Sequence, residues 1–364
     1  MIYISLIILM YGAMLLSVLD VRGKSYLSQS IVVFLSLLLL IIFSGSYIND
    51  DYENYYNLYK QLMSTGEGYL TSQIGFVTLI NVGVFFNLEY NQILFILFII
   101  AFLLISSTIY KYTTNLCFVI PLYIIYPFFL DVVQVKHFLA MALVVFSTRY
   151  ISQGKFDNSL LKYALVVSIA SSIHYVALIF LPLGYLISKN IKQMFFYVLL
   201  FSFFLIVAIN SSFVEYIASS LFSELRVKSY FDNRVNNGYF FLISYQCLIL
   251  IFVYWIRENL NRMGKGSHFV EMMLIIHIYL IILYPMYMIN GNFERVFRIT
   301  CILNYAFLAV YIKELRPLNR FWVIIMFSIY ILINSYLQII KDRDRIIYPI
   351  MDNNLFFELL SNIY

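Results

Sequence analysis

Four short polar clusters interrupt the long apolar runs of this chain, and each holds residue types that can do chemistry. The first is Asn49-Asp50-Asp51-Tyr52-Glu53-Asn54-Tyr55-Tyr56. Carboxylates bind hydroxyls and rings stack on an apolar sugar face, so Asp50, Asp51, Tyr52 and Tyr55 suit a sugar. The plainer alternative is a belt of tyrosines at a membrane interface. The second is Asp131-Val-Val-Gln134-Val-Lys136-His137, which opens an apolar run. A cation there can meet an anionic headgroup or a substrate phosphate, or it can simply snorkel. The third is Ser171-Ser172-Ile173-His174-Tyr175, where His174 sits between two apolar stretches. It can act as a general base, as a hydrogen-bond donor to substrate, or as a satisfied structural histidine. The fourth is Asn290-Gly-Asn292-Phe-Glu294-Arg295-Val-Phe-Arg298. Arg295 and Arg298 are three apart and share a helix face. Their planar forks suit phosphate oxygens, and Glu294 can pair with either in a purely structural way. Between the third and fourth lies Arg226, Lys228, Tyr230, Asp232 and Arg234. That basic-aromatic mix can touch an anionic lipid or polymer, or it can be a solvated loop.

Other chemistries find no foothold. There is no HExxH, no Walker A glycine loop and no Cys/His metal spacing. His137, His174, His268 and His277 are scattered, and Gly264-Lys265-Gly266-Ser267 reads as a turn. Cys117, Cys247 and Cys301 fall inside apolar runs, where a thiol packs as a small hydrophobe. No metal and no cofactor are therefore expected. The net charge of +5 is spread along the chain, so no nucleic-acid patch is expected.

The elements that must carry these clusters are membrane helices. Apolar residues make up 62% of the 364 positions and charged residues 12%. A soluble domain has about 45–50% and about 25%. A hydrocarbon core about 30 Å thick needs about 20 apolar residues per helix, and backbone in lipid must satisfy itself. The predicted spans are 2–19, 30–48, 91–110, 116–130, 134–149, 160–174, 175–188, 194–211, 239–256, 269–289, 296–312 and 320–339. The fold expected is all-α, a polytopic integral membrane protein with about twelve transmembrane helices. It forms one transmembrane domain over 1–364. The run 2–19 lacks a basic flank and a small-x-small site, so it reads as a retained span.

Segment 73–88 is apolar but carries Asn81, Gly75, Gly83 and Asn87, and reads as a re-entrant or interfacial helix. With that segment not crossing, Arg22, Lys24, Lys111, Arg149, Lys155, Lys162, Lys189, Lys192, Arg257, Arg262, Lys265, Lys313, Arg316 and Arg320 fall on one side. That side is cytoplasmic by the positive-inside rule. Both termini and the segments 49–72, 212–238 and 340–364 then face outside, with most of the carboxylates.

Taken in order, the four clusters resemble the Wzy-type polysaccharide polymerases, in particular the EpsG-like branch. Asp51-Tyr52-Glu53-Asn54-Tyr55 matches that family's Asp-Tyr-x-x-Tyr element after its second span. Lys136-His137-Phe138-Leu139-Ala140 stands where the family opens a mid-chain span with Arg-Gln-x-hydrophobic-Ala. The substitution keeps the charge and loses the two-pronged donor. Ala170-Ser-Ser-Ile173-His174-Tyr175-Val176-Ala177 corresponds to an Ala-x-x-Phe-His-x-Ser/Ala element, and Phe293-Glu294-Arg295 through Arg298 to an Arg-rich element opening a late helix.

The resemblance implies an O-antigen, capsule or exopolysaccharide polymerase in the bacterial cytoplasmic (inner) membrane, working on the outer face. It implies a glycosyl transfer without metal, from a growing glycan on undecaprenyl pyrophosphate to a single undecaprenyl-pyrophosphate-linked repeat unit. Membrane lipid, a chain-length regulator and a flippase are the further partners it suggests. On that reading Lys136, Arg295 and Arg298 stabilise the departing pyrophosphate, and His174 or Asp51 serves as base. Asp50, Tyr52, Tyr55, His137, Arg226 and Arg234 would complete the substrate contacts. Two rivals are a lipid-linked oligosaccharide flippase or other transporter, and a membrane O-acyltransferase. The first needs cations along both halves of a pathway, and the second a histidine or arginine within reach of a cytoplasmic acyl donor.

Overall fold

Long apolar runs that must satisfy their own backbone become helices, and the computed structural model of the protein is helical throughout its described residues. It describes residues 2–20, 23–66, 73–151, 158–187, 189–210, 238–316, 318–320, 322–323, 325, 333, 336 and 343–361. Twelve of its helices are numbered here: α1 Ile2–Leu19, α2 Tyr26–Gly45, α3 Tyr52–Thr65, α4 Ile74–Phe85 and α5 Tyr90–Tyr112. The broken helix α6 Leu116–Val133 follows, then α7 Val135–Ile151, α8 Asn158–Ile173, α9 Ile191–Asn210 and α10 Gly238–Arg262. The last two are α11 His268–Ile289 and α12 Cys301–Glu314.

Six of these are long and apolar enough to cross a membrane: α2, α5, α6, α9 (through Ile209), α10 and α11. Gly291–Arg298 and Cys301–Glu314 pass that test only as a broken pair. Predicted span 2–19 forms α1, of 18 residues, and the remaining ones are shorter helices or lie largely outside the described residues. Val135–Ile151 has 17 residues, Asn158–Ile173 has 16, and 175–188 is split into a 3-10 turn at Tyr175–Phe180 and one helical turn at Leu183–Leu186. Pro182, which lacks an N–H, separates the two pieces. Most of 320–339 lies outside the described residues. Segment 73–88 forms the 12-residue helix α4. At about 1.5 Å per residue it is well short of a bilayer core.

The chain divides into two compact units, one of Met1–Arg149, Leu165–Leu178 and Cys301–Tyr364, the other of Tyr150–Ala164 and Ile179–Thr300. In the first, α2 packs against α5 and α6, while α1 and α12 pack against α6. Phe43, Phe98 and Phe138 form its aromatic centre, with ring centroids 4.9 to 5.7 Å apart. Pro121 and Pro127 break the ladder of α6. The Tyr305 hydroxyl donates to the Tyr126 carbonyl at this break (2.8 Å), so a freed acceptor regains a partner.

In the second unit α11 packs against α9 and α10. The Gln246 amide donates to the Leu280 carbonyl at a 3-10 turn inside α11 and accepts from the Tyr287 hydroxyl, both at 2.9 Å. Arg257 of α10 grips Glu271 of α11 through two guanidinium nitrogens at 2.9 and 3.0 Å. The expected turn between them holds, with Gly264 at φ +67° and Ser267 capping α11. On α9, Phe196, Phe201, Phe203 and Phe204 stay exposed, as lipid-facing side chains do.

Candidate functional site

The first unit gathers three of the four sequence clusters. Asp51 is the N-cap of α3, and the Asn49 side chain fixes the approach by accepting from the Asp51 and Tyr52 N–H groups (3.2 and 3.0 Å). The helix then presents Tyr52, Tyr56 and Tyr59 along one face, stacked in series at 5.7 and 5.9 Å. All three rings pack on Tyr90 at the start of α5. The Tyr52 hydroxyl donates to Asn91 at 2.9 Å and that of Tyr59 to the Leu88 carbonyl at 3.0 Å. Burial, with the neighbouring Tyr56 phenol adding to it, pushes the Tyr52 phenol up to about 12, so it stays a neutral donor. Asp50 is exposed and pairs with Arg345 at 2.9 Å.

Tyr55 points to a second group of residues. Its ring lies 5.3 Å from that of Phe76 on α4. The Lys136 ammonium lies over both rings, 5.1 Å from Tyr55 and 4.9 Å from Phe76. Ring faces attract a cation without neutralising it, and they hold a flexible lysine in place. Lys136 stands near the head of α7, just after Gln134 breaks the chain with φ −102° and ψ 63°.

One residue on, His137 is buried at 1% exposure, and its ring meets the His174 ring edge to face at 5.8 Å. His174 follows the end of α8 and stacks on Tyr175 at 5.1 Å. Its Nδ1 accepts from the Val176 N–H at 3.3 Å. In the neutral ring that places the proton on Nε2. Gly75 of α4 lies so close to Ser172 that a Cβ there would overlap its hydroxyl, which brings α4 against the end of α8.

The fourth cluster belongs to the second unit. Asn290 caps a 3-10 turn by accepting from the Asn292 N–H at 2.9 Å, and Glu294–Arg298 is a short helix. Arg295 is half-buried, while Arg298 is buried at 2% exposure. Phe297 between them touches Tyr245 and His277, both at 5.9 Å. Among the described residues no ion pair or hydrogen bond engages Arg295. Arg226 and Arg234 lie outside the described residues.

Sequence reasoning missed the residues that seat these groups. Phe76, Tyr90, Asn91 and Gly75 are apolar or neutral, and each acts on a partner far along the chain. Asp131 was visible in its cluster, yet its setting was not. It is wholly buried and accepts from the Tyr123 hydroxyl at 2.9 Å. Among the described residues, no three of His, Cys, Asp and Glu converge as a set able to hold a metal ion.

No curated protein and no solved structure matches the chain. A comparison with protein families matches residues 28–349 to the EpsG family, a span that holds all four clusters. Nearly the whole chain is covered, and the protein is therefore a member of the EpsG family of Wzy-like, polysaccharide-polymerase-type membrane proteins.

Proposed function

We propose that the protein joins undecaprenyl-pyrophosphate-linked oligosaccharide repeat units on the outer face of the bacterial cytoplasmic membrane, as a metal-independent glycosyltransferase. The observation that carries this reading is the convergence of Tyr55, Phe76, Lys136, His137 and His174 in one unit. Sugar-stacking rings, a held cation and a histidine donor are the parts such a transfer needs.

An acceptor hydroxyl attacks the anomeric carbon of the donor glycan. The new C–O bond forms as the bond to pyrophosphate breaks, and its electron pair leaves on the pyrophosphate oxygen. Asp51 takes the hydroxyl proton. His174 donates from Nε2 to a sugar or phosphate oxygen, and His137 beside it adds to the substrate contacts. Lys136, Arg295 and Arg298 are each candidates, by their charge and the family pattern, for the electrostatic role at the leaving group that is often the largest catalytic contribution. Asp50, Tyr52 and Tyr55 bind the sugar, and Arg226 and Arg234 of the outside loop bind the anionic substrate. The proposed topology keeps about twelve spans, the shorter helices included. A chain-length regulator and a flippase are its proposed partners.

The purified protein in liposomes, supplied with a lipid-linked repeat unit, tests the reading. A ladder of longer lipid-linked glycans is expected. Transbilayer movement of the single unit without elongation would favour the flippase reading instead.

A further inference from the structure

The helix α2 ends beside the acidic element, and the last four carbonyls of a helix have no partner within it. Two asparagines from distant parts of the chain donate to carbonyls in and around that last turn, those of Ile42 and Ser44 among them. Asn91 Nδ2 donates to the Ser44 carbonyl at 2.6 Å and the Ser46 carbonyl at 3.3 Å. Asn354 Nδ2 donates to the carbonyls of Ile41 and Ile42 at 3.2 and 3.4 Å. Asn354 is wholly buried, and its Oδ1 accepts from the Phe356 N–H at 3.1 Å. A Cβ on Gly45 would overlap the Asn354 amide, so only glycine lets the two strands of chain approach.

The contact continues along both segments. Ser46 and Asn354 form an isolated antiparallel bridge, and the Tyr47 N–H donates to the Asn353 carbonyl at 3.1 Å. The Tyr47 hydroxyl donates to Glu358, and Arg345 pairs with Asp50. Ser46, Tyr47 and Asp50 are thus tied to the C-terminal segment, and Asn49 holds the turn that leads into Asp51. The family match ends at residue 349, so Asn353, Asn354 and Glu358 lie beyond it.

We propose that the C-terminal segment 343–358 is a positioning device for the acidic element, with Asn354 as its central positioning residue. The segment caps α2, fixes the path of Ser46 to Asp50, and so sets where Asp51 stands at the head of α3. This rests on the polymerase reading above, in which Asp51 takes the acceptor proton. Neither Asn354 nor Glu358 touches substrate in that scheme.

The test uses the full chain and two readouts. In the liposome assay, Asn354→Ala should lower kcat by about ten- to a hundredfold, the scale of a misplaced reacting group. KM should rise by less than kcat falls, because Tyr52 and Tyr55 keep their seats against Tyr90 and Phe76 even as Asp50 shifts. Glu358→Gln keeps an acceptor for Tyr47 and should work as the parent does, while Glu358→Ala should fall with Asn354→Ala. The Glu358 pair keeps the test alive if Asn354→Ala does not accumulate. The second readout needs no activity. Ser46 is buried, so a Ser46→Cys thiol in detergent-solubilised protein should resist a maleimide, and adding Asn354→Ala should expose it. Unchanged labelling, or a parent-like kcat in Asn354→Ala and Glu358→Ala, would overturn the proposal. A parent that never polymerises, with labelling that still rises, would sink the polymerase reading and leave the clamp standing.

Discussion

Replacing Lys136 by Met keeps a long unbranched stem and removes the ammonium held over Tyr55 and Phe76. Each cation–ring contact is worth about 0.5–1 kcal/mol when exposed and about 2 when desolvated. Two such contacts hold the lysine in place, so some stability is lost. The larger effect should fall on the reaction. A hydrogen bond to a charged group is worth roughly 1.5–3 kcal/mol. If that bond strengthens as pyrophosphate leaves, its loss slows the step about ten- to a hundredfold. Phe76→Leu isolates the ring contribution, because the charge stays and one of two rings goes. It should slow polymerisation by only about two- to fivefold. Lys136→Arg keeps the charge and adds the planar fork, so it should retain activity within about threefold of the parent. The assay is glycan chain length and rate in liposomes at matched protein. Parent-like polymerisation by Lys136→Met would refute the leaving-group role. Equal losses from Lys136→Met and Phe76→Leu would show a structural cage and nothing more.

Other expectations follow from the same structure. Arg295→Lys should insert and accumulate yet polymerise about ten- to a hundredfold more slowly, since charge survives and the fork does not; glycan length at matched expression reads it. Lys265 sits in the α10–α11 turn, and Lys265→Cys in intact cells should resist a membrane-impermeant thiol reagent, because the proposed topology puts that turn in the cytoplasm. Asp20 gives a pH dependence. Partial burial pushes its carboxyl up, but hydrogen bonds from Ser25 and Ser28 outweigh that and hold it at about 2, below the ordinary 3.8. Its contribution to stability is therefore complete above about pH 4 and is lost as pH falls toward about 2. Asp20→Asn should lower the thermal midpoint in detergent at pH 7, and the gap to the parent should close across that window.

The fold was legible where apolar runs are uninterrupted, and less so at their ends. Hydropathy starts the second span at residue 30, but the helix begins at Tyr26, because Ser25 caps it by accepting from the Ser28 N–H. Hydropathy also reads 175–188 as one run, but not that it opens with a 3-10 turn at Tyr175–Phe180 and resumes as a helical turn at Leu183–Leu186. The site residues were legible as ionisable groups inside apolar surroundings. Their grouping was only partly so. That Lys136, His137 and His174 share one unit follows from packing of α4, α7 and α8, which no local pattern encodes. The seat of the acidic element was not legible at all. Asn354 acts on carbonyls more than three hundred positions away, and a lone asparagine near the end of a chain carries no local sign of that task. Gly45 carries a similar hidden demand, because its need to be glycine comes from Asn354 and not from its own turn.

On the proposed function, this EpsG-family protein lengthens a lipid-linked glycan rather than moving it. Deleting the gene and resolving the surface glycan by size tests that most directly. Glycan capped at a single repeat unit is expected, with the long chains gone and restored by the parent gene but not by Lys136→Met. Loss of even the single-unit product from the surface would contradict it and point to transport, and unchanged long chains would contradict it outright.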